Sequence, residues 1–341
     1  MIDILSLTKD ELGDILAEYG LEDYRKSQIF SFVYKHYVDD IDKITTLKKD
    51  VRNLLKNRFF ISSGRCAKTT YAEDGTVKYL LELQDSNKIE SVFIPMKNDR
   101  NTICVSTQVG CRMGCRFCAT GKMGLIRNLD TSEIVLQVRY IMKKHSLKNA
   151  NVVYMGMGEP LDNYENVVKS VKILIDEDGI NISKRRITLS TCGITPAIEK
   201  LKKDLPYINM ALSLHSATDE KRSYLMPVNR KYPLKEVMES LKTFPMPRRK
   251  RITFEYVMID DVNDTNEDRK ALLRLLSTYK SKLNIIPLNK HNLMNSNLNP
   301  TPNEKIEEFA EYLRNKGMFV TVRNSKGSSI KAACGMLATK V

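Results

Sequence analysis

A chain of 341 residues, 42% apolar and 28% charged, can bury a large core and has the bias of neither a disordered nor a fibrous protein. No apolar run approaches a membrane span, the opening MIDILSLTKDELGD lacks the basic and then apolar regions of a secretory signal, and an odd count of seven cysteines argues against a disulfide-stapled exported scaffold, so a soluble cytoplasmic protein with no membrane partner is expected. Lys and Arg number 55 against 41 Asp and Glu, and the net charge of +14 suits a polyanionic partner such as nucleic acid, unless the surface is merely basic.

Residues 1–65 read as a small helical unit. Thr8 to Glu11 fits a capping box ahead of Leu12, Ile15 and Leu16, and the stretches DYRKSQIFSFVYKHYVDDI and TTLKKDVRNLLKNRFF space their apolar residues as helices do. Over residues 66–100 the period changes to strand-like alternation, with Asp74-Gly75 as a hairpin turn, so a β-hairpin connection is expected there. Residues 101–324 then alternate β-rich runs with amphipathic helices. The runs are 102–109, 151–158, 185–191, 208–215, 251–259 and 283–289, with a further candidate at 318–324, and TSEIVLQVRYIMKKH and TPNEKIEEFAEYLRNKG are two of the helices between them. Repeated βα units imply an α/β fold with a parallel sheet, and six units suggest a complete or partial TIM-like barrel, with an open doubly wound sheet as the competitor. Residues 325–341 form a tail containing AACGMLA.

The stretch GCRMGCRFCATGKMG (110–124) places Cys111, Cys115 and Cys118 just after the first β-rich run, at the strand end where a parallel barrel carries its chemistry. Three thiolates spaced C-x3-C-x2-C can hold an iron–sulfur cluster and leave one iron open to a ligand. Two other readings exist. One is a helix with cysteines on a core face, which Gly110, Gly114 and Gly121 disfavour. The other is zinc, with His36, His145, His215 or His291 as the fourth ligand.

The spacing, together with the blocks CVSTQVGCRMGCRFCATG, MGMGEPLDN, LSTCGITP, LSLHSATDEKRSYLMPVNRKYPL, AACGMLA and, near the start, YRKSQIFSFVYKHYVDDIDKITTL, resembles the RlmN/Cfr family of radical S-adenosylmethionine (radical SAM) RNA adenosine methyltransferases, RlmN most closely. The resemblance covers nearly the whole chain. It implies a partial (β/α)6 TIM-like barrel, a 4Fe–4S cluster on Cys111, Cys115 and Cys118, and two S-adenosylmethionine molecules per methylation. Gly158, Glu159, Ser190, Ser213, Leu214, His215 and Asn289 match cofactor-binding positions.

Alone, Cys104 reads as a core strand residue, Cys334 as an incidental tail thiol and Glu90 as a solvated strand carboxylate. The resemblance makes Cys334 the methylated cysteine, Cys104 the thiol that later forms a transient disulfide with it, and Glu90 the proton acceptor. Cys66 and Cys192 match no catalytic position. The implied reaction is methylation of carbon 2 of adenosine at position 2503 of 23S rRNA and of adenosine 37 in tRNA. Cfr-type methylation of carbon 8 is the alternative, and Pro160 and RITFEYV favour carbon 2. A zinc-containing RNA-binding protein is the reading from another class. The implied enzyme is a monomer served by a flavodoxin- or ferredoxin-like electron donor and a disulfide reductant. LKKDVRNLLKNR (47–58) and PRRKR (247–251) are candidate phosphate contacts.

Overall fold

The computed structural model describes residues 1–97, 100–294, 298–323 and 326–339. Its centre is a ten-stranded sheet. In chain order the strands are β1 (Arg65–Tyr71), β2 (Val77–Glu82), β3 (Lys88–Ile94), β4 (Thr102–Cys104), β5 (Asn151–Tyr154), β6 (Ile187–Thr191), β7 (Asn209–Ser213), β8 (Ile252–Met258), β9 (Ser281–Pro287) and β10 (Val320–Val322). Each strand pairs with the one before it in sequence. The pairs from β1 to β4 are antiparallel, and those from β4 to β10 are parallel. The parallel part is the partial α/β barrel expected from the βα rhythm, and the run at 318–324 supplies its seventh strand.

Local chemistry explains the main elements. Thr8 and Glu11 form the capping box of the helix Lys9–Glu18, with the Glu11 carboxylate accepting from Thr8 N–H at 2.8 Å. The alternation of β2 is a strict buried and half-buried repeat. The Asp74-Gly75 turn closes with Gly75 N–H donating to the Ala72 carbonyl, and Gly75 takes φ +80°. The barrel strands are apolar on both faces, as parallel strands covered by helices must be: Met210, Ala211 and Leu212 of β7 are all buried. Among the described residues no helix is long and apolar enough to cross a membrane.

Two details differ from the sequence reading, and a third gains a position that the sequence left open. Residues 66–100 hold a three-stranded meander that continues into the barrel sheet, since β3 pairs with β4. The run 102–109 is not one strand. β4 ends at Cys104, and Gln108–Cys111 leaves the sheet to pair antiparallel with Gly124–Asn128. Gly110 makes this ribbon possible, because it takes φ +78° and a β-carbon there would lie 1.8 Å from the Gly124 carbonyl oxygen. Lastly, PRRKR (247–251) leads directly into β8, so it lies at the N-terminal edge of the parallel strands, opposite the end where the cysteines cluster.

One buried cation holds the C-terminal strand ends together. Arg222 is fully buried. Its Nε donates to the Leu214 carbonyl (3.1 Å), its Nη2 to the carbonyls of Cys192 (2.7 Å) and Ser213 (3.1 Å), and its Nη1 to Asn229 Oδ1 (2.6 Å). These bonds tie the exit of β6 to the exit of β7. Arg222→Met would take the guanidinium donors from all four acceptors, of which the Leu214 carbonyl keeps a bond from Ser216 N–H, and should lower the free energy of unfolding in urea by about 3 kcal/mol or more. A loss under about 1 kcal/mol would show that the guanidinium is not a strut.

Candidate active site

At the C-terminal ends of the parallel strands lies a cavity of about 150 Å³. One wall is the loop carrying Cys111, Cys115 and Cys118. Successive strand exits add Gly158, Glu159, Ser190, Ser213, His215 and Asn289, and Cys334 of the tail closes the top. The structure therefore gathers ten of the thirteen expected residues around one space. Leu214, Cys104 and Glu90 do not line it.

The three thiols lie close together in the chain, and their sulfurs do not all fall within 4.8 Å of one another. Among the described residues the only trio of thiol, imidazole or carboxylate donors all within 4.8 Å of one another is Asp260, Asp261 and Asp264, and those carboxylates already hold Lys305 Nζ, 2.8 Å from Asp264. A single tetrahedral zinc would draw sulfurs to about 3.8 Å of each other. The wider all-sulfur set fits a 4Fe–4S cluster better, with three irons held by protein and one open.

Each strand exit presents its residue in a definite way. Glu159 is buried and accepts from Leu161 N–H (3.1 Å) and Cys192 N–H (2.9 Å), bridging the exits of β5 and β6. Gly158 precedes it at φ +100°, where a β-carbon would meet Gln108 Cβ at 2.6 Å. His215 sits at φ +55°, and its Nδ1 accepts from Val257 N–H at 3.0 Å. The ring proton is therefore on Nε2, which is left as a donor on a cavity-lining side chain. Burial, and then the charge of Arg222, drop the His215 pKa to about 3. Asn289 lies two residues past β9 and donates to the Cys334 carbonyl at 3.3 Å. Leu214 is fully buried, its N–H donates to the Glu255 carbonyl and its own carbonyl is taken by Arg222, so it lies behind the wall.

The tail reaches the site through its backbone. Ala119 N–H donates to the Gly335 carbonyl (2.7 Å) and Thr120 Oγ1 to the Leu337 carbonyl (2.6 Å), which docks the tail on the cysteine loop. Gly327 N–H donates to Asp74 Oδ2 (2.9 Å), and Ala338 N–H to Glu90 Oε2 (2.9 Å). Cys334 is thereby held over the cavity, within electrostatic reach of Cys104 on β4. Burial, and then the neighbouring Cys334, push the Cys104 thiol up to about 12. Glu90 is buried in mid-strand. Its Oε1 pairs with Lys78 Nζ at 2.8 Å, and Lys78 also donates to the Lys331 carbonyl at 3.1 Å. Burial raises the Glu90 pKa and Lys78 opposes the rise.

Known proteins place this arrangement. The model of the Radical SAM superfamily matches residues 105–276, and that of the ribosomal RNA large subunit methyltransferase N-terminal domain matches residues 2–61. A dual-specificity RNA methyltransferase RlmN from Pelobacter propionicus is 43% identical over 339 residues, 99% of this chain and 96% of its own. The chain belongs to the RlmN family of radical SAM methyltransferases. The RlmN protein of Syntrophotalea carbinolica is 45% identical over 340 residues, covering 100% of this chain and 90% of its own. A crystal structure of a radical SAM methyltransferase from Sphaerobacter thermophilus superposes with a TM-score of 0.91 at 40% identity, covering 99% of each chain.

Four residues of this RlmN-family site were missed in the sequence, and three of them gave no usable sign there. Arg222 stands in the polar helix Asp219–Leu225 beside Lys221, and nothing in the spacing separates the buried cation from the exposed one. Lys78 alternates as any edge-facing lysine would. Arg323 follows β10 and lines the cavity, its pKa raised first by the nearby Cys334 and also by Glu255. Glu255 is the one signal that was there to read, a carboxylate amid the apolar residues of RITFEYV. Cys192, matched to no role, also lines the cavity.

The His215 geometry has a pH consequence. A histidine kept neutral in the folded protein contributes its full stability above its unfolded pKa of about 6.5 and loses it as pH falls toward 3. His215→Asn, which tolerates the positive φ, should therefore flatten the acid limb of stability. The expected change is up to about 1.4 kcal/mol per pH unit below roughly pH 6, read from urea unfolding at stepped pH. An unchanged limb would show that His215 is charged in the native state.

Proposed function

We propose that the protein methylates carbon 2 of adenosine in RNA, at position 2503 of 23S rRNA and at adenosine 37 of tRNA, by staging the methyl group on Cys334. The observation that carries the reading is the docking of Cys334 over the cysteine-loop cavity, within electrostatic reach of Cys104, by backbone bonds that leave its thiol free. That the relatives are named dual-specificity RNA methyltransferases supports RNA as substrate, and the net charge of +14 suits a polyanion.

Bound to the three thiols and the strand exits, a 4Fe–4S cluster and two successive S-adenosylmethionine molecules would supply an electrophilic methyl group and a hydrogen-abstracting carbon radical. Glu159, Ser190, Ser213, His215 and Asn289 would hold the cofactor, with His215 Nε2–H as a neutral donor. Cys334 would accept the methyl group on sulfur and, after losing one hydrogen, carry a methylene radical. Such a radical can add to carbon 2 of adenine, an electron-poor centre closed to polar methyl transfer. The target base must leave its stack to enter. Glu90, its carboxylate held by Lys78 and the tail, would take the carbon-2 proton. Cys104 would then attack Cys334 Sγ as the C–S bond breaks, the released methylene carbon would take up a proton, and the adduct's unpaired electron would be given up to the cluster, freeing the methylated RNA and leaving a disulfide between the two thiols. An external dithiol-type reductant would restore the thiols, and a flavodoxin- or ferredoxin-like protein would deliver single electrons.

The test is nucleoside mass spectrometry of RNA incubated with anaerobically reconstituted protein. Adenosine methylated at carbon 2 is expected, and methylation at carbon 8 would overturn the regiochemistry. Cys334→Ala should abolish methylation. Cys104→Ala should stall as a covalent protein–RNA adduct that survives denaturation, and the double variant should form none. Normal turnover by Cys104→Ala would remove it from the resolving role.

A further inference from the structure

A polar layer crosses the interior of the barrel beneath the cavity. Ser213, Glu255, Asn284 and Thr321 are register partners across β7, β8, β9 and β10. Their bonds run in one direction. Thr321 Oγ1 donates to Asn284 Oδ1, and Asn284 Nδ2 donates to Glu255 Oε1 at 3.0 Å. The first bond fixes the amide orientation that permits the second, so the chain anchors one oxygen of the Glu255 carboxylate.

The other oxygen is bare. Glu255 is 5% exposed and lines the cavity, yet its Oε2 is buried with no hydrogen-bond partner among the described residues. The nearest cation, Arg323 Nη1, is 3.9 Å away, beyond hydrogen-bond reach. Arg323 lines the same cavity. A buried carboxylate oxygen without a donor is unfavourable, and a rigid anchor on its twin prevents it from turning away.

We propose that Glu255 Oε2 and Arg323 form a subsite for a ribose hydroxyl of S-adenosylmethionine, an assignment that rests on the cofactor reading above. A hydroxyl fits the gap because it donates its hydrogen to the carboxylate and offers lone pairs to the guanidinium. A protonated amine leaves the guanidinium unmatched and faces it as a like charge, and a phosphate faces the carboxylate as one. Position selects the cofactor over the RNA. Glu255 is the register neighbour of Ser213, and its strand lies between those that lead to His215 and Asn289. It also lies two residues before Val257 on β8, deeper than the tail residues Cys334 and Leu337 that close the cavity. A free nucleoside cofactor presents two adjacent hydroxyls, whereas a nucleotide within an RNA strand has its 3′ oxygen esterified.

The experiment measures equilibrium binding of S-adenosylmethionine and its 2′-deoxy and 3′-deoxy analogues to anaerobically reconstituted protein. For the wild-type chain, loss of the recognised hydroxyl should weaken binding roughly tenfold or more. Glu255→Ala should weaken S-adenosylmethionine by a similar factor and bind that deoxy analogue no worse than the cofactor. Wild-type affinities equal within about twofold for all three ligands would overturn the subsite, and this arm does not depend on the variant folding. A full deoxy penalty retained in Glu255→Ala would overturn it too, as would a Glu255-dependent penalty confined to RNA carrying 2′-deoxyadenosine at the target, which would place the hydroxyl in the substrate. Failure of the wild-type, cluster-loaded protein to bind S-adenosylmethionine at all would overturn the cofactor reading itself, and the subsite with it.

Discussion

Everything at the mouth of the barrel depends on bringing the tail back across an open sheet. The ten strands run in order from β1 to β10, and the two edges are not paired to each other. The tail spans from the β10 side to the meander by donating backbone N–H groups to Asp74 and Glu90, and by offering carbonyls to Lys78, Ala119 and Thr120. Because backbone carries these contacts, the Cys334 side chain is not used for attachment. The same bonds decide what the tail meets: they set its thiol against the loop that holds the three cysteines and within electrostatic reach of the one on β4.

Burial sets the electrostatics of the cavity. Desolvation raises the carboxylates Glu90, Glu159 and Glu255 above their usual range and lowers His215. Two guanidiniums act on this drift in opposite senses: Arg323 pulls Glu255 back down, whereas Arg222 lowers His215 further. Arg222 is matched to carbonyls and an amide, so it is a structural cation with no carboxylate partner among the described residues. Arg323 faces Glu255 and Cys334 and is an unspent charge at the cavity wall. A water-poor chamber with few free charges suits carbon-radical chemistry, which needs shielding from solvent more than it needs ion pairs.

The features most legible in the sequence were those fixed by local chemistry. Thr8 with Glu11, and Asp74 with Gly75, read correctly because cap and turn involve residues a few positions apart. Most of the β-rich runs were placed within a few residues because buried parallel strands are almost wholly apolar. The run 102–109 failed as one strand because Gln108–Cys111 alternates equally well against Gly124–Asn128 as it would in the main sheet. Charge was legible in amount but not in direction, since PRRKR could be placed only once β8 showed which end it enters. The cysteine triad and the strand-exit residues were visible as a pattern. Arg222 and Lys78 were not, because their partners are backbone carbonyls and side chains remote in sequence.

The order of the strands bears on how the protein is made. Each strand of the sheet finds its partner in the segment synthesised just before it, so the sheet can grow one strand at a time as the chain leaves the ribosome. The tail breaks that rule, since its anchors lie on β2, β3 and the cysteine loop, formed long before it emerges. A partly synthesised chain therefore carries a nearly complete sheet and an uncovered cysteine loop, but no thiol over the cavity. The tail can dock, and set Cys334 over the cavity, only once the chain has been built past residue 338.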